Sequence, residues 1–175
     1  MSDTLYETPQ DPLTVVKDFN LSLKRGEFVS LIGHSGCGKS TVLSVTAGLN
    51  GISQGAITLV GFYVEGAKPE RAVVFQSPNL FPWLTAKQYV ASGVDKVSAK
   101  ASQAERQEVV EYDLERVGLG DAMERSAADM SNGMCQRVGI VRAFALSSKP
   151  LLLDEPFGML DSLTRWALQK VLIKM

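Results

Sequence analysis

The sequence predicts an α/β protein with a mainly parallel sheet and flanking helices, a small antiparallel β part and a helical subdomain. Three observations carry that expectation. The stretch GHSGCGKST, residues 33–41, stands between an apolar run of strand character and the start of a helix. A second apolar run, LLL at 151–153, ends on two adjacent carboxylates, Asp154 and Glu155. Between them, from about Pro78 to Asp129, the pattern changes from short β-branched runs to helical periodicity.

The elements follow in order. LTVV (13–16) and FVSLI (28–32) read as strands separated by the polar turn SLKRGE, and residues 40–49 read as a helix. GAITLVGFYVEG (55–66) is rich in β-branched and aromatic residues and bounded by glycines, the signature of a hairpin. RAVVFQ (71–76) is a short apolar strand. Farther on, Val109, Val110, Leu114 and Val117 recur at helical spacing, with a stop expected at Gly118 and Gly120. QRVGIVRAFALS (136–147) is a further amphipathic helix, PLLLD a short buried strand, and SLTRWALQKVLIKM a last helix.

Composition narrows the function. The chain has 175 residues, 45% hydrophobic and 21% charged, with a formal net charge of −1. That suits one sizeable core and argues against wholesale disorder. No basic stripe is present, which argues against a nucleic-acid binder. The two cysteines, Cys37 and Cys135, form no CxxC pair, so a thiolate metal site is not expected. There is no signal-peptide pattern at the start and no apolar run near the length of a membrane span. The chain reads as soluble and intracellular, reaching any membrane through a partner.

Gly33, Gly38, Lys39 and Ser40 fit the spacing G-x-x-x-x-G-K-[ST], with Gly36 inside it. Glycines let successive backbone N–H groups turn inward as an anion nest, and the following helix adds the positive end of its dipole. Lys39 is placed to reach β- and γ-phosphates and the Ser40 hydroxyl to hold Mg²⁺. The whole loop, with His34, Ser35, Cys37 and Thr41, is therefore the expected phosphate cradle. His34 and Cys37 fill positions that the pattern leaves free. Asp154 and Glu155, adjacent at a strand end, point to opposite sides and cannot share one task. One suits a Mg²⁺ ligand; the other suits orienting or deprotonating a water.

With GHSGCGKST, VVFQSPNLFPWLT, MSNGMCQR and LLLDEPFGMLD in this order, the chain resembles the ATP-binding subunit of an ABC transporter over essentially its whole length. The resemblance implies an ABC-type P-loop fold whose last strands are missing here. It implies a single domain divided as 1–76 (nucleotide-binding core with the antiparallel part), 77–135 (helical and signature subdomain) and 136–175 (return to the core). It implies ATP and Mg²⁺ as ligands. Gln76 resembles the family's Q-loop glutamine, a ligand of Mg²⁺ and water. Ser131, Asn132 and Gly133 resemble the signature segment, which caps the γ-phosphate held by an opposite subunit. Asp154 resembles the family's metal-binding aspartate, Glu155 its catalytic carboxylate, and Asp161 the aspartate at the dimer seam. Tyr6 is a candidate for stacking on adenine. The implied partners are a second ATPase subunit, transmembrane permease subunits and, indirectly, a substrate-binding protein, with no nucleic acid. The implied location is peripheral, on the cytoplasmic face of the inner or plasma membrane.

FPWLT, SNGM, RVGI and DEPFGMLDSLTR are similar to subunits that drive nitrate, nitrite or cyanate uptake; sulfonate and taurine importers share some of these stretches. Met134 stands where many relatives have glutamine, Cys135 where a basic residue is common, and Met130 where leucine is usual. The family continues beyond its seam aspartate to a switch histidine, whereas the only histidine here is His34. The 175 residues alone are accordingly expected to be marginally stable, to bind nucleotide weakly and to hydrolyse ATP poorly. Competing readings are an ABC-type ATPase acting on DNA or ribosomes, and a nucleotide-binding module without turnover.

Overall fold

The computed structural model describes residues 2–6, 13–98, 100–146, 150–158 and 160–173. It divides into two compact units, Met1–Lys68 and Pro69–Met175.

In the first unit, strand β1 (Ser2–Tyr6) pairs antiparallel with β2 (Leu13–Phe19), with Tyr6 opposite Leu13 and Ser2 opposite Phe19. Helix α1 (Lys39–Ala47) follows the glycine loop and ends on Gly48, whose left-handed φ of 79° turns its N–H back to the Ser44 and Val45 carbonyls. The expected hairpin is present but short. β3 (Thr58–Leu59) and β4 (Phe62–Tyr63) are joined through Val60 and Gly61 at φ of 53° and 82°. Positive φ at both loop residues is the form that matches strand twist.

The expected strand at 28–32 is not formed. Residues 28–32 join no ladder, and Phe28 and Ile32 are 85% and 94% exposed. An apolar β-branched run has only a propensity; a neighbouring strand must supply the hydrogen bonds that make it a strand. The glycine loop is therefore followed by its expected helix but not preceded by its expected strand.

The second unit holds the larger core. β5 (Ala72–Val74) and β6 (Leu151–Leu153) pair in parallel, with Val74 opposite Leu153. Helices α2 (Ala86–Val97), α3 (Gln103–Arg116) and α4 (Asn132–Ala145) pack together, and α5 (Ser162–Ile173) closes the chain. Val90 and Val94 of α2 meet Val110 and Leu114 of α3 and Val138 and Val141 of α4 in one buried cluster with Ala72 and Val74. Leu114 and Val110 are fully buried as their spacing predicts, but Val109 is 44% exposed. One residue step is 100° of helix turn, and only one of two adjacent valines fits the narrow stripe that faces the core. Gly118 stops α3 with φ of 69°, as expected, while Gly120 begins a separate short 3-10 turn.

Two capping boxes fix where the helices begin. Thr85 Oγ1 accepts from the Gln88 N–H (3.2 Å), and Gln88 Oε1 accepts from the Thr85 N–H (3.0 Å). Ser102 and Glu105 do the same for α3. The backbone N–H and then the hydroxyl of Ser102 hold the Glu105 carboxyl below its ordinary range. Replacing Thr85 by alanine removes one partner of the first box. The expected loss is about 1 kcal/mol, read as a lower denaturation midpoint at unchanged slope.

Candidate nucleotide site

The glycine loop is a tight, exposed curl. Gly36 and Gly38 both have left-handed φ, 79° and 93°. Gly38 also has no room for a side chain: a Cβ there would lie 2.9 Å from Val16 Cγ2 and 3.3 Å from the Val15 carbonyl. Conformation and space therefore both require glycine where the loop crosses β2 and enters α1. The Lys39 amino group donates to the carbonyls of Gly33 (2.8 Å) and His34 (2.9 Å), folding back over the loop that carries it. The Cys37 N–H donates to the His34 carbonyl at 3.4 Å. Ser40 and Thr41 open the first turn of α1. Left-handed glycines, a lysine and a helix N-terminus together suit a polyphosphate.

In the second unit the parallel pair positions the acidic residues. The Asp154 N–H donates to the Val74 carbonyl at 2.9 Å, extending the ladder one step past β6. Glu155 then leaves the strand with φ of 46°, a left-handed conformation that costs a non-glycine residue about 1–3 kcal/mol. The Glu155 carbonyl accepts from the Gly158 N–H at 3.0 Å, which fixes the turn. Gln76, just beyond β5, donates from Nε2 to Glu155 Oε2 at 3.2 Å. Two residues 79 positions apart, both singled out from the sequence, thus meet at the carboxyl ends of parallel strands.

Ser131 caps α4: its Oγ accepts from the Met134 N–H at 3.3 Å. Gly133, in the first turn, lies against Leu160, whose Cδ2 is 3.5 Å from where a Cβ would stand. Asp161 caps α5, its Oδ1 accepting from the N–H groups of Leu163 (3.1 Å) and Thr164 (3.0 Å). The hydroxyl and then the backbone N–H of Thr164 hold the Asp161 carboxyl below its ordinary range. Within the second unit, Gln76 and Glu155 form one constellation, and Ser131, Gly133 and Asp161 mark helix starts. Cys135 is buried and its thiol is pushed up by desolvation, donating only a long contact to the Ala127 carbonyl at 3.8 Å.

Two residues of consequence received no role from the sequence. Gln136 is 1% exposed, and its Nε2 donates to the carbonyls of Phe75 (3.2 Å) and Pro156 (3.0 Å). Arg137 donates to the carbonyls of Val117 (2.9 Å) and Gly118 (3.2 Å), closing the C-terminus of α3. Burial lowers the pKa of the Arg137 guanidinium. The available signal was periodicity: Gln136 shares a helical face with Ile140 and Ala143, and a polar residue on a core face needs partners.

Residues 16–158 match the ABC transporter family, and the chain belongs to that family. It is 52% identical over 159 residues to the bicarbonate transport ATP-binding protein CmpC of Synechocystis sp., covering 91% of this chain and 24% of that one. It is 45% identical over 170 residues to the nitrate transport protein NasD of Klebsiella oxytoca, covering 97% of this chain and 65% of that one. The chain thus spans less than two thirds of the length of either relative. Among solved structures, the ATP-binding cassette MJ0796, a dimer in a post-hydrolysis state bound to ADP and Pi, superposes with a TM-score of 0.90 at 29% identity, covering 99% of this chain and 79% of that one. The α/β expectation for the fold agrees with that likeness.

Proposed function

We propose that the chain is the ATP-binding and ATP-hydrolysing part of an ABC importer for a small inorganic anion, with nitrate as the first reading. The observation that carries it is the Gln76–Glu155 contact at the strand ends. A carboxylate held by a neutral amide donor is oriented without being neutralised, as a general base for water requires. The proposed cycle begins with the loop 33–41, whose N–H groups and Lys39 hold the phosphates. Glu155 takes the proton of the attacking water while Gln76 keeps the carboxylate aimed. Ser40 in the first unit, and Asp154 and Gln76 in the second, each carry an oxygen of the kind Mg²⁺ takes, and Mg²⁺ would supply charge neutralisation on the phosphates.

The functional division follows the same reading, with 1–76 holding nucleotide, 77–135 carrying the signature segment and 136–175 carrying the carboxylates. Ser131, Gly133 and Asp161 are proposed to face nucleotide and seam in a pair of ATPase subunits; the dimeric MJ0796 cassette supports pairing of this kind. Among the described residues no helix is long and apolar enough to cross a membrane. Attachment is accordingly proposed to be peripheral, on the cytoplasmic face, through permease subunits.

Bicarbonate is the second reading, favoured by the 52% identity to a bicarbonate transport protein. Deleting the gene separates the two. The expected result is loss of labelled nitrate uptake with bicarbonate uptake retained. Loss of bicarbonate uptake alone selects the second reading, and no change in either removes the importer assignment.

A further inference from the structure

Gln136 lies on neither strand of the catalytic pair, yet it binds the backbone on both sides of that pair. Its Nε2 spans two carbonyls, Phe75 at 3.2 Å and Pro156 at 3.0 Å. Phe75 immediately precedes Gln76, and Pro156 immediately follows Glu155. One amide nitrogen of α4 thereby fixes the separation of two backbone positions 81 residues apart in sequence, and beside them the Gln76 and Glu155 side chains meet at 3.2 Å. From β5–β6 outward, the ladder among the described residues continues one step, from the Asp154 N–H to the Val74 carbonyl. Beyond that step Glu155 turns left-handed with φ of 46°. Gln136 acts where the sheet's own hydrogen bonds have ended. Its Oε1 is buried and has no hydrogen-bond partner among the described residues, so both amide protons serve the two strand ends while the other half of the group is left unsatisfied. Leaving a buried acceptor unpaired is unfavourable, and a core built only for stability would place an apolar side chain there.

We infer that Gln136 is a positioning residue for ATP hydrolysis: it holds Gln76 and Glu155 in register from the first half of α4. This rests on the ATPase reading above. The mechanical consequence is specific. Ser131 caps the same helix, and Arg137, the next residue after Gln136, ties it to the C-terminus of α3. A displacement of α4 therefore acts on the catalytic pair through one amide, and the signature segment and the hydrolytic residues become parts of one lever.

The test uses the native gene product and two variants. Gln136→Met keeps the volume and removes both donors. Gln136→Glu keeps the length and, protonated in its buried position, one donor. With rates referred to folded protein, Gln136→Met is expected to lower kcat at least about tenfold, the scale of a sub-ångström to one-ångström misplacement. The Kd for ATP stays within twofold, and Gln136→Glu falls between. In the Glu155→Gln background the Met substitution adds little further loss, because both changes act on one step. A readout free of turnover is the Gln76 side-chain amide resonance in nucleotide-free protein, expected to shift in Gln136→Met. The Gln136 amide protons of the unmodified protein are expected to be protected from exchange. Wild-type kcat in either folded variant, full additivity in the double variant, or rapid exchange of the Gln136 amide protons overturns the inference. If Gln136→Met does not fold, Gln136→Glu and the exchange measurement decide. If the unmodified protein binds no ATP, the ATPase reading fails instead, and the amide protection separates that failure from this one.

Discussion

Lys39→Ala is expected to weaken ATP binding about 10- to 100-fold, from the loss of a charge-assisted contact of about 1.5–3 kcal/mol. The Lys39 amino group donates to the Gly33 and His34 carbonyls. It occupies its own loop until a better acceptor arrives. A phosphate oxygen is such an acceptor, since a full negative charge makes the stronger hydrogen bond. The substitution therefore acts in two ways: it frees the two carbonyls that Lys39 holds and removes the cation that a phosphate would meet. Only the second is large, because the freed carbonyls are open to water. A titration with a fluorescent nucleotide separates the two contributions when combined with a melting curve taken without nucleotide. A small change in melting with a large change in Kd is the expected pair of results. A Kd within twofold of the unmodified protein would remove the loop from nucleotide binding altogether.

The difference between Lys39 and Gln136 explains what the sequence made legible. The loop's chemistry is local: glycine, lysine and hydroxyl residues within nine positions carry their own geometry, so spacing alone pointed to it. Asp154 and Glu155 were legible because a strand end and two carboxylates are adjacent in the chain. The meeting of Gln76 with Glu155 was not legible: the family resemblance gave each a role, but a separation of 79 positions leaves no periodicity to follow. Gln136 lies in the signature stretch but gives no sign of its role, because its partners are backbone carbonyls that have no sequence signature. β1 is not legible for a related reason. Its five residues, SDTLY, form a strand by pairing with β2, and pairing is a property of two segments at once. The run at 28–32 failed in the opposite sense, with strand composition and no ladder.

Glu155→Gln is expected to lower ATP turnover by about 10²- to 10⁴-fold, the range for removing a positioned general base, while leaving ATP binding close to unchanged. The structure makes this substitution unusually clean. Glu155 is exposed, and its Oε2 accepts from Gln76. An amide oxygen accepts the same hydrogen bond, so Gln76 stays where it is. The left-handed φ of 46° disfavours glutamate and glutamine alike, and the turn held by the Gly158 N–H does not involve the side chain. What changes is the ability to take a proton from water. Nucleotide titration and a phosphate-release assay on the same preparation read the two halves of the expectation. Loss of both binding and turnover would mean that Glu155 holds the site together. Turnover within threefold of the unmodified protein would mean that another group accepts the proton, and the Gln76–Glu155 contact would then be structural only. If the expected split appears, ATP is bound and not consumed, and any pairing of subunits that nucleotide drives accumulates in its closed form. Size measured with and without ATP on this variant would then show whether the seam proposed for Ser131, Gly133 and Asp161 exists.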